Sequence, residues 1–354
     1  MPAPKHSANT ASSNASKTLA SSFSSTLNLL GPFESRPHLA VAFSGGADST
    51  ALLLLARTWA LEHNATVSAL IVDHQLRETS TDEAKSVAST YDATILTPEH
   101  AHRSNNLPEQ AREWRYTALT DWCKAHDVLH LLVAHHANDQ AETVALHMAR
   151  GQTQDGASGM AAVSVRNGVR ILRPLLATPK SALVAYLEAQ NASWVEDPTN
   201  QNLQFRRNLL RSTLSADETH ALLSTAAREG EARHVRDHEY AKAASGVATV
   251  SAHHITLDET RFFALPAAVA TRLLADSLCV VSGTHTRPRR HESENLYAKL
   301  RETGFKCGTL KHCLVEKRGA ELHITPEPRK SAASAHPKGL AASAFWWLDS
   351  RSKI

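Results

Sequence analysis

The chain has 354 residues, of which 42% are apolar, and carries a formal net charge of +3 with a sequence pI of about 8.7. This length predicts about two domains, and the apolar content is enough to bury a core. No apolar run reaches the roughly 18 residues that span a bilayer, so we predict no membrane partner. The four cysteines have no CxxC spacing, which disfavours a zinc finger or disulfide framework and favours a reducing, cytoplasmic location.

The first stretch of the chain is rich in Ser, Ala, Asn and Thr and contains no acidic residue. It lacks the apolar core of a secretory signal. We expect disorder up to about residue 18 and then a short helix through Phe23 and Leu27, and we assign residues 1–22 to a disordered tail.

A strand, a turn of small residues and a helix follow one another early in the chain. The apolar run His38–Phe43 predicts a buried strand, and the apolar run from Ala51 to about His63 predicts a buried helix. Between them lies Ser-Gly-Gly-Ala-Asp-Ser, Ser44–Ser49. Gly45 and Gly46 allow close approach of the backbone to a ligand, and the first N–H groups of the helix favour an anion. The Asp48 carboxylate is suited to Mg²⁺.

Strands and helices then alternate, which predicts a parallel sheet with right-handed crossovers. Strands are expected at 66–72, 93–96 and 128–133, and helices at 81–91 and 107–125. Because ligands of open α/β sheets lie beyond the carboxyl ends of strands, Asp73, His74 and Arg77 belong to the same rim as the loop.

Two further pairs of charged residues are candidates for the site. Arg112 and Arg115 are three residues apart on one predicted helix, so they share a face. Asp139 and Glu142 stand at the start of the helix after the fourth strand, and Asn138 is expected to cap that helix. The adjacent histidines His135 and His136 leave a zinc site as a minor alternative.

The remainder of the chain is expected to be organised differently. We assign residues 23–214 to the catalytic domain, 215–330 to a smaller, mainly helical accessory domain, and 331–354 to a flexible tail. The Gly-rich segment 151–168 is predicted to be a loop, and Thr309–Ile324 is predicted to be a hairpin. The basic residues Arg287, Arg289 and Arg290 suit contact with nucleic-acid phosphate, or else form a solvated loop.

Seven motifs in order resemble the tRNA(Ile)-lysidine synthetases, which are PP-loop ATP pyrophosphatases. They begin at Ser44, Val72, Ala111, Ala134, Arg173, Glu196 and Arg207. The departure from the family pattern is Asn138, where the family usually has Asp. The resemblance implies a parallel-sheet PP-loop fold and the use of ATP and Mg²⁺. It also implies tRNA(Ile) with a CAU anticodon and free L-lysine as substrates, and it leaves a homodimer open.

The resemblance also implies roles for individual residues. The implied catalytic residues are Asp48, Arg115, Asp139, Glu142 and Arg207. The implied ATP-binding residues are Ser44, Gly45, Gly46, Ala47, Asp48, Ser49, Asp73, His74 and Arg112, with Asp48 also holding the metal. Asp139 and Glu142 are implied to bind lysine. Arg211 is assigned to tRNA, together with Arg287, Arg289 and Arg290.

Two alternatives remain at this point. A related PP-loop tRNA-modifying enzyme such as a tRNA thiolase would use the same loop, although such thiolases usually carry paired catalytic cysteines and the first domain contains only Cys123. A non-catalytic nucleotide- or RNA-binding protein is the other alternative, and the carboxylates Asp48, Asp139 and Glu142 disfavour it.

Overall fold

The computed structural model describes residues 6–73, 80–97, 107–151, 156–195, 214–251, 254–284 and 287–328. The chain forms two compact units, Met1–Arg233 and His234–Ile354. None of the described helices is long and apolar enough to cross a membrane.

A six-stranded sheet forms the centre of the first unit, in the order β3-β2-β1-β4-β6-β5. All neighbouring strands are parallel except β5, which runs antiparallel to β6. The prediction of a mostly parallel α/β sheet is therefore confirmed. The strands are β1 His38–Ala42, β2 Thr66–Val72, β3 Ala93–Leu96, β4 His130–Leu132, β5 Val163–Arg166 and β6 Val169–Leu172.

Helices cover both faces of this sheet, because its strands are apolar on both sides. Leu39 and Val41 of β1 face one core, into which α1, α2 and α6 pack. Ala40, between them, faces the other core together with Leu119 of α4. The helices of this unit are α1 His6–Leu29, α2 Ala47–Glu62, α3 Ser80–Tyr91, α4 Leu107–Ala125, α5 Ala137–Met148 and α6 Lys180–Ala189, followed by α7, Ala216–Ala244.

The strand order places a crevice between β1 and β4. The chain runs outward from β1 to β2 and β3 and then returns to add β4 on the other side of β1. Such a reversal separates the loops that leave two adjacent strands, and ligands bind in the gap at their carboxyl ends. Here the helices that follow β1 and β4, α2 and α5, carry Asp48 and Asp139 in their first turns.

Two expectations for the first unit are wrong. Helix α1 begins at His6 rather than near residue 18, because the Ser- and Ala-rich stretch from there to Leu29 contains no Gly or Pro to interrupt a helix. The segment 151–168 is not a loop throughout, since Val163–Arg166 pairs with β6 as an edge strand.

The second unit contains more strand than its sequence predicted. A five-stranded antiparallel sheet in the order β7-β8-β11-β10-β9 accompanies its helices. The predicted hairpin is present as β10 Cys313–Arg318 and β11 Glu321–Pro326. The other elements are β7 Ala248–Val250, β8 Ile255–Asp258, α8 Glu259–Ala264, α9 Ala267–Ser282, α10 Arg290–Leu300 and β9 Cys307–Leu310. The three additional strands are only three or four residues long, too short for a clear alternating pattern.

The two units divide within α7, later than the predicted boundary at residue 214. The Ala-rich, charged composition that marked the boundary belongs to one continuous helix of 29 residues. The change of composition therefore coincides with the start of that helix and not with the division between the units.

Candidate active site

The loop Ser44–Ser49 is closed by hydrogen bonds among its own hydroxyl and backbone groups. The Ser49 hydroxyl accepts a hydrogen bond from the Ser44 backbone N–H at 3.1 Å and donates one to the Gly46 carbonyl at 3.0 Å. The two serine hydroxyl oxygens are 3.1 Å apart. The first N–H groups of α2, beginning at Ala47, have no acceptor within the helix. The loop thus combines two hydroxyls with backbone donors, as an anion site requires.

Gly45 is the position in this loop where a side chain cannot be accommodated. Its φ is +78°, in the left-handed region, and a Cβ atom there would lie 2.9 Å from a methyl carbon of Val87 on α3. Both the backbone conformation and the close approach of α3 therefore require glycine. The Gly45 carbonyl also accepts a hydrogen bond from the Val195 N–H at 2.9 Å, which holds the segment before residue 196 against the loop.

Two carboxylates from the first turns of different helices meet around one buried imidazole. Nε2 of His136 lies 3.5 Å from Oδ2 of Asp48 and 3.5 Å from Oδ2 of Asp139. The Asp139 carboxylate also accepts a hydrogen bond from the His136 backbone N–H at 3.2 Å. The structure thus brings together Asp48 and Asp139, which the sequence placed only on a common rim. His136 had been considered only as a zinc ligand, and its position between the two carboxylates was missed.

Lys180, which the sequence analysis also missed, completes this group. Its Nζ lies 3.7 Å from Oδ2 of Asp48. The lysine is the first residue of α6 and follows Pro179. The start of a helix after the last parallel strand was a usable signal, because such a position lies at the same edge of the sheet as the phosphate loop.

Glu142 and Gln140 show how the rest of α5 is held. Both side chains are buried. The Gln140 amide donates to the Met160 carbonyl at 3.1 Å and accepts from the Met160 N–H at 2.8 Å. This two-bond contact fixes the segment after residue 156 on α5, and so fixes the helix that presents Asp139 and Glu142.

The expectation for Asn138 is wrong. The residue before α5 is His136, and Asn138 lies within the first turn. The Asn138 side-chain oxygen instead accepts a hydrogen bond from the backbone N–H of Lys180 at 3.2 Å. It therefore caps α6, a helix that is distant in sequence, and a pattern search restricted to neighbouring residues could not find this partner.

Other predicted residues lie around this centre or outside the described part of the chain. Asp73 is buried at the end of β2, where its carboxylate accepts a hydrogen bond from the Thr81 hydroxyl at 2.7 Å. His74, Arg77, Arg207 and Arg211 lie outside the described residues, so their assigned roles stay predictions.

Arg112 and Arg115 of α4 are exposed. Exposure is compatible both with binding of a ligand and with a solvated helix face. The Arg112 guanidinium lies 5.3 Å from the centre of the Tyr116 ring, which Arg166 also contacts at 4.5 Å. Arg166 in turn pairs with Glu113. Arg112 is thus held by an aromatic ring beside another arginine, and Arg115 lies on the same helix.

The basic residues of the second unit are partly neutralised. Arg287 pairs with Asp276, and this carboxylate raises the pKa of the guanidinium against the effect of its burial. Arg290 pairs with Glu294 at 2.7 Å, while the Arg289 backbone N–H donates to Glu292. The paired guanidinium groups of Arg287 and Arg290 therefore contribute less net positive charge than the sequence suggested.

An Mg²⁺ ion fits the donors at the β1–β4 crevice. The Asp48 carboxylate supplies an oxygen ligand of the kind that Mg²⁺ prefers, and Mg²⁺ commonly takes only one or two carboxylates together with substrate phosphates. Across the described residues, no group of three or more His, Cys, Asp or Glu side chains forms a metal site, so the zinc alternative gains no support.

Comparison with known proteins gives a consistent assignment. The PP-loop domain family matches residues 16–218. A tRNA(Ile)-lysidine synthase of Wolbachia sp. subsp. Brugia malayi is 35% identical over 307 residues, covering 82% of this chain and 71% of the relative. A tRNA(Ile)-lysidine synthase of Rickettsia bellii is 31% identical over 312 residues, covering 85% and 72%.

A solved U34-tRNA thiolase of Methanococcus maripaludis superposes with a TM-score of 0.48 at 15% identity, over 60% of this chain and 78% of that one. This level of similarity adds nothing to the assignment. The family match and the two curated relatives decide it: the chain belongs to the tRNA(Ile)-lysidine synthase family and contains its PP-loop domain.

Proposed function

We propose that this protein ligates L-lysine to the wobble cytidine of a tRNA(Ile) with a CAU anticodon, using ATP. The 2-oxo oxygen of the base attacks the α-phosphorus, the bond to the β-phosphate breaks, and pyrophosphate leaves with the bonding electron pair. The ε-amine of lysine then attacks C2 and displaces AMP, which gives lysidine. The modified tRNA reads AUA instead of AUG.

The observation that carries this proposal is the meeting of Asp48 and Asp139 around His136, beside the loop Ser44–Ser49. The loop hydroxyls and the N-terminus of α2 would hold the phosphates. Asp48 would hold Mg²⁺, which when bound offsets charge on the departing pyrophosphate. Lysine must attack the base at the place where the phosphates of ATP have reacted. The residues that hold lysine and those that hold the phosphates must therefore lie close together, as Asp139 and Asp48 do.

The second step needs a neutral amine. The reference pKa of a lysine side chain is near 10.4, so deprotonation at pH 7 costs about 4.6 kcal/mol. We assign Asp139 and Glu142 to hold the ammonium and to accept its proton.

The anticodon is single-stranded, so its wobble base can be turned out and read in a pocket. Arg115 or Arg112, and Arg207 or Arg211, are proposed to contact the phosphate or the adenylated base as planar donors. Arg287, Arg289 and Arg290 are proposed to contact the tRNA backbone.

Thiolase chemistry has no suitable thiol in the first unit. Cys123 is fully buried, and burial raises the pKa of its thiol to about 12. A thiol with that pKa is almost entirely protonated at neutral pH, whereas nucleophilic cysteines have lowered pKa values. Membership of the lysidine synthase family disfavours the same alternative.

The deciding experiment incubates the full chain with Mg²⁺, ATP, radiolabelled L-lysine and a tRNA(Ile) transcript with a CAU anticodon. We expect stoichiometric AMP and pyrophosphate and one labelled lysine per tRNA, with no labelling of a tRNA(Met) transcript. AMP formation without lysine transfer would point to another PP-loop modification, and no AMP at all would point to a binding protein. Either result overturns the proposal.

A further inference from the structure

Lys180 holds an ammonium group at the edge of the phosphate loop. Its Nζ lies 3.7 Å from Oδ2 of Asp48, the carboxylate in the first turn of α2. Its backbone is fixed by the hydrogen bond to the Asn138 side chain, and α6 packs along α2. The backbone position of Lys180 is therefore set by the same helices that form the site.

Lys180 can leave Asp48 for another partner at little cost in free energy. The two side chains are 41% and 31% exposed, and 3.7 Å is longer than a charged hydrogen bond. Ion pairs with this exposure contribute little to stability. Lysine has a flexible stem of four carbons and a compact charge, so its ammonium can move by several ångströms without moving the helix.

The same carboxylate is the proposed ligand of Mg²⁺. An ammonium and a divalent cation repel each other when they share one carboxylate, so binding of the metal with ATP favours release of Lys180 from Asp48. The released ammonium would find the phosphates nearby, because these bind at the N-terminus of the helix that carries Asp48.

We propose that Lys180 is a catalytic residue that exchanges partners during the reaction. Without nucleotide it neutralises Asp48; with Mg²⁺ and ATP it contacts the phosphates and offsets the negative charge that develops on the departing pyrophosphate. No proton is transferred, since the bond between the α-phosphorus and the bridging oxygen breaks with both electrons leaving on pyrophosphate. This inference rests on the proposed function, because it assigns a residue to the adenylation step.

A purely structural ion pair and an exchanging one predict different changes in two affinities, the affinity for the metal and the affinity for the nucleotide. If Lys180 only stabilises the site, its loss weakens the binding of every ligand or of none. If it exchanges partners, its loss removes a competing cation from Asp48 and also removes a contact to the phosphates. Metal binding then strengthens in the absence of nucleotide, while nucleotide binding weakens.

The experiment compares Lys180→Met, which keeps length and removes charge, with the wild type. Mn²⁺ serves as the probe for the metal site, measured by electron paramagnetic resonance on the nucleotide-free protein, and a non-hydrolysable ATP analogue is titrated by calorimetry with Mg²⁺. We expect Mn²⁺ to bind about 5-fold tighter, the ATP analogue about 10-fold weaker, and pyrophosphate release to slow by about 100-fold. Lys180→Arg should restore most of the nucleotide affinity.

Lys124→Met is the matched control, because Lys124 also pairs with an exposed carboxylate, Asp121, at 2.7 Å, but on α4. It should leave both affinities unchanged. If Lys180→Met melts more than about 3 °C below the wild type, Lys180→Gln replaces it. A change of both affinities in the same direction, or of neither, overturns the proposal. Neither binding measurement requires tRNA or lysine. Both measurements therefore test the role of Lys180 even if the wild type forms no lysidine.

Discussion

Strand β4 has a buried histidine near each of its ends, and the two are surrounded very differently. His130, at the amino end, is 2% exposed, and its ring nitrogens lie 2.9 Å from Glu34 and 3.3 Å from Arg170. His136, beyond the carboxyl end, is 1% exposed, and its Nε2 lies 3.5 Å from two carboxylates. The His130 ring thus has one negatively charged and one positively charged hydrogen-bonding partner, whereas the His136 ring lies between two carboxylates.

This difference separates a structural end of the sheet from a functional one. At the amino end, Arg170 also donates to the carbonyls of Leu30, Gly31 and Pro32, so the cation, the anion and the end of α1 satisfy one another. At the carboxyl end, two carboxylates converge where parallel-sheet proteins bind ligands. Two neighbouring carboxylates at this edge are what a cationic ligand such as Mg²⁺ or lysine requires.

The largest effect that would sharpen this comparison is expected from Asp48→Asn. Loss of the proposed metal ligand should slow pyrophosphate release by about 1000-fold, on the scale of removing one preorganised electrostatic group. The melting temperature should stay within about 2 °C, because the side chain is partly exposed. Stopped-flow detection of pyrophosphate at saturating Mg²⁺ makes the measurement. Near-normal turnover would remove Asp48 from the mechanism.

Asp139→Asn and Glu142→Gln should damage a different step. We expect lysine-dependent turnover to fall about 100-fold, the scale for loss of a positioned base, while pyrophosphate release in a single turnover without lysine changes less than about 5-fold. Labelled-lysine transfer and rapid-quench measurement of pyrophosphate distinguish the two steps. An equal loss in both would place these carboxylates in the adenylation step instead.

At the amino end, Arg170→Met should lower stability and spare activity. Removing the guanidinium leaves three carbonyls and Nδ1 of His130 without this donor, at a cost of about 1–3 kcal/mol in the free energy of unfolding. Urea unfolding followed by circular dichroism measures the cost, and lysine transfer by the folded variant should be unchanged. A variant that is stable but inactive would break the division between the two ends.

Acid should destabilise the amino end through His130. Burial lowers the pKa of this imidazole, with Glu34 offsetting part of the shift. Since the unfolded-state pKa is near 6.5, the unfolded chain binds more protons, and the contribution of His130 is complete above that pH and decreases as the pH falls toward its folded pKa. His130→Asn should flatten the loss of stability that urea unfolding shows as the pH falls below about 6.5. An unchanged profile would assign this pH dependence to other groups.

The comparison also shows what the sequence could and could not predict. Periodicity placed β2, β3 and α4 nearly to the residue, and the rule for parallel sheets placed Asp48 and Asp139 at one edge. It could not predict that His136 lies between them, because that depends on β4 pairing with β1 rather than with β3. Glu34 and Arg170 likewise meet His130 only through the fold, and no local pattern marks them.

The smallest expected effect concerns Asn138, which joins the two helices nearest the site. Its side chain caps α6 rather than its own helix, and loss of such a cap costs about 1 kcal/mol. Asn138→Ala should therefore lower the free energy of unfolding by about that amount and change the lysine KM by less than about 3-fold. Asn138→Asp keeps an acceptor for the Lys180 N–H, so it should preserve stability and leave the lysine KM nearly unchanged. A large gain in lysine use from Asn138→Asp would show that the site lacks a negative charge there, and capping could then not be the whole role of this residue.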